Sequence, residues 1–211
     1  VVIRMPTGAG TSAGPFHSQS TEAWFFHVPG LKIVYPGTPY DAKGLLCAAV
    51  EDPNPVMYFE HKFLYRTLKS KVPSDYYTIP IGKADVIAEG SELTVVTYGL
   101  GVHWMLQELV NHGVGTIEVI DLRSLMPWDK ELVFESVRRT GKALVLHEDT
   151  FTGGVGAEIA ASIVENCFEF LDAPVKRLAS QDTPVPFARE LENNFLPQRR
   201  LSAVLNELLK Y

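Results

Sequence analysis

Short, wholly apolar runs alternate along this chain with longer stretches of helical periodicity. Residues 1–5 (VVIRM), 31–35 (LKIVY) and 56–59 (VMYF) are compact runs bounded by Gly, Pro, Asn or Asp, the pattern of buried strands. Between the last two, Ala42, Leu45, Leu46, Ala49 and Val50 recur at helical spacing. Thr38 stands where an N-cap belongs, and Pro39 suits the first helical position. Residues 21–27 predict a shorter helix that stops near Pro29-Gly30. Strand, helix, strand, helix, strand implies an α/β layer with a parallel sheet.

Residues 60–80 break this rhythm. They are charged, rich in Lys and Tyr, and contain two prolines, so they read as a linker crossing a surface. A second unit follows. Residues 81–99 predict a pair of strands around the turn at Glu89-Gly90-Ser91, then a helix over 100–111, a strand over 116–122 and a helix from Pro127-Trp128-Asp129 to Thr140-Gly141. Residues 142–146 form the next strand, and Gly153, Gly154 and Gly156 open a helix that runs to Cys167. A last strand is expected within 173–179. An amphipathic helix over 199–210 carries Leu201, Val204, Leu205, Leu208 and Leu209 on one face. The repeated helix–strand steps predict a doubly wound α/β domain.

Composition narrows the class. A chain of 211 residues has room for one large domain or one and a half ordinary ones. Its 46% hydrophobic and 21% charged residues are those of a globular protein, with no apolar run of membrane-spanning length. A net charge of -6 disfavours nucleic acid and anionic membranes as main partners. Cys47 and Cys167 sit in apolar, helix-like surroundings and read as reduced core residues of an intracellular protein. The chain opens directly in a strand, as a piece of something longer would.

The densest candidate chemistry is GPFHSQSTEAWF, residues 14–25. It places His17, Ser18, Gln19 and Glu22 between the flexible TGAGTSAG run and an apolar helix. A helix N-terminus offers free N–H groups to an anionic ligand. Equally, His17 and Ser18 serve as simple helix caps. His147, Glu148 and Asp149 end a strand, at the sheet edge where α/β folds place ligands. The following GGVGAE has the look of a phosphate cradle, but helix-to-strand packing accounts for the same glycines. His103, beside Trp104, reads as packing, and Lys62, Arg66, Lys69 and Lys71 as a solvated surface. Residue pattern alone ends at an α/β protein with a candidate site at His17.

At His17 a family resemblance enters. HSQSTEA (17–23), PGLKIVYPGTPYDAKGLL (29–46) and EDPNPVMYFEHKFLYR (51–66) resemble the β subunit of thiamine-dependent 2-oxo acid dehydrogenases. VPSDYYTIPIGKADV, EVIDLRSLMPWD, SVRRTGKALVLHED, LDAPVKRLASQDTPVPFA and the closing LLKY continue the match in order along the whole chain. HSQS with its glutamate, and FEHKFLYR, are most similar to the branched-chain (2-oxoisovalerate) type, with the pyruvate and acetoin enzymes as neighbours.

The resemblance implies an α/β fold in which residues 1–66 are the later part of a pyrimidine-binding-type domain. Residues 67–80 would be the linker and 81–211 a transketolase C-terminal-like three-layer α/β/α domain. It implies thiamine diphosphate and Mg²⁺ bound between an α and a β subunit of a heterotetramer, with a second β subunit and a lipoyl acyltransferase core as further partners. The enzyme decarboxylates a 2-oxo acid and acylates the lipoyl group. Residues preceding Val1 would hold the cofactor, so this stretch alone would be inactive and a non-catalytic assembly role is the alternative. His17 matches the histidine that supplies a proton during acylation. Ala49, Val50, Asp52 and Asn54 match a potassium-binding turn. Asp172 and Tyr211 match the region that meets the acyltransferase. The expected location is the cytoplasm of a bacterium or the mitochondrial matrix of a eukaryote.

Overall fold

The computed structural model describes residues 1–211. The first unit contains β1 (Val2–Thr7), α1 (Gly14–His17), α2 (Glu22–Phe26), β2 (Lys32–Val34), α3 (Pro39–Glu51), β3 (Val56–His61) and α4 (Leu64–Thr67). The second contains β4 (Asp85–Ala88), β5 (Gly90–Thr97), α5 (Leu100–Glu108), β6 (Gly115–Asp121), β7 (Ser124–Met126), α6 (Lys130–Thr140), β8 (Ala143–Thr150), α7 (Val155–Cys167), β9 (Lys176–Ser180), α8 (Arg189–Phe195) and α9 (Gln198–Leu208). No helix is long and apolar enough to cross a membrane.

Two sheets result. The first has the order β1-β3-β2-β7 and is parallel except for β7. The second has the order β4-β6-β5-β8-β9, with only the edge strand β4 antiparallel. Successive residues of a strand point to opposite faces. Val34, Val56 and Tyr58 accordingly pack with Leu45 and Ala49 of α3. Ile33, Met57 and Phe59 face the other way, into a cluster shared with Val96, Ile120 and Val145 of the second sheet. Both faces of these strands are covered, which is why they read as unbroken apolar runs. In the second unit α6 and α7 lie in that shared cluster. Leu100, Trp104 and Met105 of α5 pack with Leu201, Leu205 and Leu208 of α9 over the opposite face. This is the expected three-layer arrangement.

Local chemistry explains several ends. The Thr38 hydroxyl accepts the Asp41 N–H at 3.1 Å, and Pro39 opens α3. Gly141, at φ 71°, closes α6 in the left-handed conformation that favours glycine. Cys47 is half-buried, Cys167 is buried, and both are free.

The structure departs from the sequence pattern in several places. The strands around Gly90 are not a pair: β6 lies between β4 and β5. The charged segment does not begin at Glu60, because β3 runs through Glu60 and His61, both buried. Beyond α4 the chain lies over α3, where Ile79 is buried and Lys43 reaches the carbonyls of Ser74 and Asp75 at 3.1 and 2.8 Å. The short α8 was not foreseen. Nor was β7, three residues of the second unit that complete the first sheet. Just before it Arg123, at φ 56°, pairs its charge with Asp41 of α3 at 2.9 Å and donates to Asp85 at 2.6 Å.

His147 is fully buried and stacks on Tyr98 with ring centroids 6.3 Å apart. A Cβ at Gly154 or Gly156 would fall within 2.6 Å of its ring, so these two glycines of GGVGAE serve packing against the imidazole. Burial, aided by the charge of Arg177, lowers His147 to about 4 from 6.5.

Two outcomes are expected. Leu125→Ala, at a fully buried β7 side chain, costs about 2–5 kcal/mol in urea unfolding. A loss under about 1 kcal/mol would mean that β7 does not join the two units. The unfolded His147 imidazole binds a proton below about 6.5, whereas the folded one does so only near 4. Its contribution to stability is therefore full at neutral pH and is lost as pH falls from about 6.5 to 4. His147→Phe removes that loss, so the variant gains about 2–3 kcal/mol relative to the parent between about pH 7 and pH 4. Parallel pH curves for the two proteins would contradict a neutral, buried His147.

Candidate functional site

The site forms where three chain segments meet at the carboxyl ends of parallel strands. β1 ends at Thr7, β3 ends at His61, and β8 carries His147, Glu148 and Asp149 toward its end. Residues 8–20 leave β1 as a loop. Gly8, at φ 96°, passes so close to His61 that a Cβ would fall 2.2 Å from Nε2. The Thr7 hydroxyl donates to the carbonyl of Gln19 and closes the loop's base.

Glu148 sits at the centre, 6% exposed. One carboxylate oxygen accepts the Ala9 N–H at 2.7 Å and the Ser20 hydroxyl at 3.2 Å. The other lies 2.6 Å from His61 Nε2. Burial alone would raise this carboxyl. The charge of His61 and the hydrogen bonds from His61, Ala9 and Ser20 outweigh burial and hold it below its ordinary value.

Its neighbours have the opposite character. Glu22 is fully buried, accepts the Tyr98 hydroxyl at 2.8 Å through one oxygen, and has no partner for the other. Burial, with Asp149 nearby, pushes it well above the carboxylate range. Burial also lifts Asp149 to about 6, against the hydrogen bond from the Thr150 N–H at 2.7 Å. Glu148, held low, thus stands beside two carboxyls, Glu22 and Asp149, that burial pushes up. Environments that push neighbouring carboxyls apart equip a site for acid and base work. A cavity of about 240 Å³ opens beside them, lined by Ser18, Gln19, Ser20, Glu148, Asp149 and Thr183 among others.

The structure divides the 14–25 motif. His17 is exposed at the end of α1, beside Phe16, whose ring meets Phe187 at 6.1 Å. Ser18 is buried with an unpartnered hydroxyl, Gln19 lines the cavity, and Glu22 points into the core. Neither His17 nor Ser18 caps α2: Thr21 is its N-cap and makes no side-chain bond there. The first turn of α2 holds Glu22, so this helix end does not receive an anion. TGAGTSAG is no free loop either, since Glu192 of α8 accepts the Gly10 N–H at 2.9 Å and the Ser12 N–H at 3.0 Å.

His103 bonds the Gly37 carbonyl at 2.7 Å, a packing role, and Arg66, Lys69 and Lys71 face solvent. Asp172 is exposed, its N–H bonded to the Gly141 carbonyl at 2.8 Å, and Tyr211 is 60% exposed. Pattern reasoning missed His61, Tyr98 and Glu192. His61 ends a strand just as His147–Asp149 do, so the same edge rule would have found it.

Two implied ligands can be tested against these residues. Pro53 has no N–H for the Ala49 carbonyl, and the Asn54 N–H turns to Asp52 instead of Val50, at 2.9 Å. Those carbonyls suit a potassium ion. The Asp52 carboxylate, however, is already engaged by Lys32 and Asn54, so main-chain oxygens would carry the binding. Thiamine diphosphate fares differently. The cavity wall carries Glu148 and Asp149 and no Lys or Arg. These residues do not fit a diphosphate and its Mg²⁺.

Comparison with known proteins places this geometry. The transketolase C-terminal domain model matches residues 82–200, and the transketolase pyrimidine binding domain model matches residues 1–67. The chain is 49% identical over 216 residues to the 2-oxoisovalerate dehydrogenase subunit beta of Bacillus subtilis (strain 168), covering 100% of this chain and 66% of that protein. It is 44% identical to the pyruvate dehydrogenase E1 component subunit beta of Mycoplasma pneumoniae, covering 100% of this chain and 65% of that one. It thus spans just under two thirds of the length of these relatives. A solved structure described as a split gene transketolase, inactive beta4 tetramer, aligns with TM-score 0.74 at 24% identity, over 99% of this chain and 66% of that one, and shows the shared fold. The chain belongs to the transketolase C-terminal domain family, with a transketolase pyrimidine-binding region ahead of that domain, and resembles the β subunits of 2-oxo acid dehydrogenases.

Proposed function

We propose that this chain is part of the β subunit of a branched-chain 2-oxo acid dehydrogenase, with 2-oxoisovalerate (3-methyl-2-oxobutanoate) as the type substrate. The observation that carries the reading is the placement of His17. His17 is exposed, as Gln19 is, on a loop whose backbone is anchored through Ala9 and Gly10, while Ser18 and Glu22 of the same motif are buried. Greater identity to the 2-oxoisovalerate relative than to the pyruvate one, 49% against 44%, favours the branched-chain substrate. Pyruvate is the second reading.

In this proposal the complete enzyme pairs the subunit with an α subunit and a second β subunit. Thiamine diphosphate and Mg²⁺, held by residues outside this chain, supply the decarboxylation chemistry. His17 acts when the lipoyl disulfide is opened. The electron pair that loss of CO₂ leaves on the substrate's former carbonyl carbon forms the new C–S bond to one sulfur as the S–S bond breaks. That carbon is oxidised to the acyl level, and the other sulfur leaves as a thiolate that takes a proton from the His17 imidazolium. An exposed imidazole suits that task, because a swinging lipoyl arm must reach it. Asp172 and Tyr211, both exposed, are proposed contacts for the acyltransferase core. The carbonyls of Ala49 and Val50, with the turn through Asp52 and Asn54, are a proposed potassium seat.

The test is His17→Ala in the full-length subunit assembled with its α partner. Lipoyl acylation is expected to fall about 10²–10³-fold. Cofactor affinity, and decarboxylation followed with an artificial electron acceptor, stay near the parent's. Undiminished acylation would remove His17 from the reaction. A preference of the parent enzyme for pyruvate over 3-methyl-2-oxobutanoate would replace the branched-chain reading with the second one.

A further inference from the structure

We infer that Glu148 and Glu192, both from the second unit, are positioning residues that set where His17 stands. The inference rests on the role proposed for His17, but its structural half is independent of any activity.

The loop over residues 8–20 would not hold its shape alone. Its backbone is left-handed at Gly8, Gly10 and Gly14, and also at Ser12, whose φ of 55° disfavours a residue with a Cβ. Such a conformation persists where its surroundings over-determine it. Here the turn aims the N–H groups of Ala9, Gly10 and Ser12 inward as a concave set of donors, the kind that captures an anion. The anions are the protein's own. Glu148 takes Ala9 at 2.7 Å, and Glu192, 1% exposed, takes Gly10 at 2.9 Å and Ser12 at 3.0 Å.

The far end of the loop is held by the same groups. Glu148 also accepts from Ser20 at 3.2 Å, so one carboxylate spans both ends. Phe187, five residues before Glu192, fills the space at Gly14, where a Cβ would fall 2.3 Å from its ring, and its ring meets Phe16. The segment 187–192 therefore grips the loop through an aromatic contact on one side and a charge on the other. His17 follows Phe16 directly. Its side chain has no hydrogen bond of its own, so its location is inherited from these contacts.

The experiment replaces Glu192 by Gln, which keeps size and removes the charge. Glu190→Gln is the control, an exposed position on the same helix paired with Arg199. Hydrogen–deuterium exchange of the peptide covering residues 8–20 is expected to speed up roughly tenfold in Glu192→Gln, the loss of about one charge-assisted bond, and to be unchanged in the control. The rate at which diethyl pyrocarbonate modifies His17, read by peptide mapping, changes with it. In the assembled enzyme kcat for lipoyl acylation falls roughly tenfold while KM for the 2-oxo acid holds, as misplacement of one group requires. Should Glu192→Gln fail to fold, Ser20→Ala trims the Glu148 clamp from the loop side, with the same readouts expected at lower amplitude. Unchanged exchange and unchanged His17 modification overturn the inference, whatever the activity. Faster exchange with normal acylation also overturns it, because the clamp would then hold the loop without placing His17. A parent enzyme that acylates no lipoyl group defeats the dehydrogenase reading instead, and the exchange and modification data still decide the clamp.

Discussion

One buried carboxylate, Glu148 of the second unit, faces one buried histidine, His61 of the first, and much else follows from that pairing. Removing two ionisable groups from water is costly, and such pairs seldom stabilise a fold as much as apolar packing would. Their return is uniqueness of arrangement. Glu148 recovers its hydration only where His61, the Ala9 N–H and the Ser20 hydroxyl converge at 2.6, 2.7 and 3.2 Å. A slip of the first unit against the second by a fraction of a hydrogen-bond length strands the charge. Arg123 repeats the device on the other side of the interface, joining Asp41 of α3 to Asp85 of β4. Between these two locks runs a shared apolar cluster drawn from both sheets. The units are therefore one folding body, not two beads on a string.

The same pairing sorts the neighbouring carboxyls. Glu22, Glu148 and Asp149 are comparably buried, so desolvation pushes all three upward. Only Glu148 has a histidine partner and converging donors, and only Glu148 ends below its ordinary value. With that charge fixed, each adjacent carboxyl has added reason to keep its proton. Tyr98, bonded to Glu22 and stacked on His147, completes a wall that is polar yet holds little charge. A site so built offers a diphosphate no cation, since its cavity is lined by Glu148 and Asp149 without a Lys or Arg.

What was legible in the sequence was local. Thr38 and Pro39 announce α3 because capping is decided within four residues. The apolar runs of β2 and β3 announce parallel strands because both faces are covered, whereas β1 is an edge strand with Ile3 and Arg4 exposed. The glycines of GGVGAE fitted two readings, and the one that prevailed needs only a neighbour in the preceding strand, His147. β7 stayed hidden because three residues carry no periodicity, and its partner β2 lies in the other unit. The carboxylate clamps stayed hidden for a stronger reason. Glu148 lies 139 residues from Ala9, and Glu192 lies 182 residues from Gly10, so neither has a local signature. Glu192 lies in a charged stretch where the sequence predicts no element, while in the fold it is 1% exposed. Family resemblance marked His17 from its motif, but a motif does not tell which of its members turns outward.

The outward turn of His17 is what the buried half of its motif makes possible. Ser18 and Glu22 face the interior and Gln19 gives its carbonyl to Thr7, so the chain is committed on either side of one exposed imidazole. A group that meets a substrate delivered on a mobile arm has to be accessible, and accessibility removes the packing that would otherwise fix it. The conflict is resolved by distance along the chain. Rigidity is imposed on the backbone at residues 8–12 and at Ser20 by groups that never meet solvent, and passed to His17 through a few residues whose φ and ψ are already spent. Loops carry function when a rigid scaffold holds their ends. Here the scaffold reaches past the ends into the turn itself, with carboxylates taking the place an external anion would occupy.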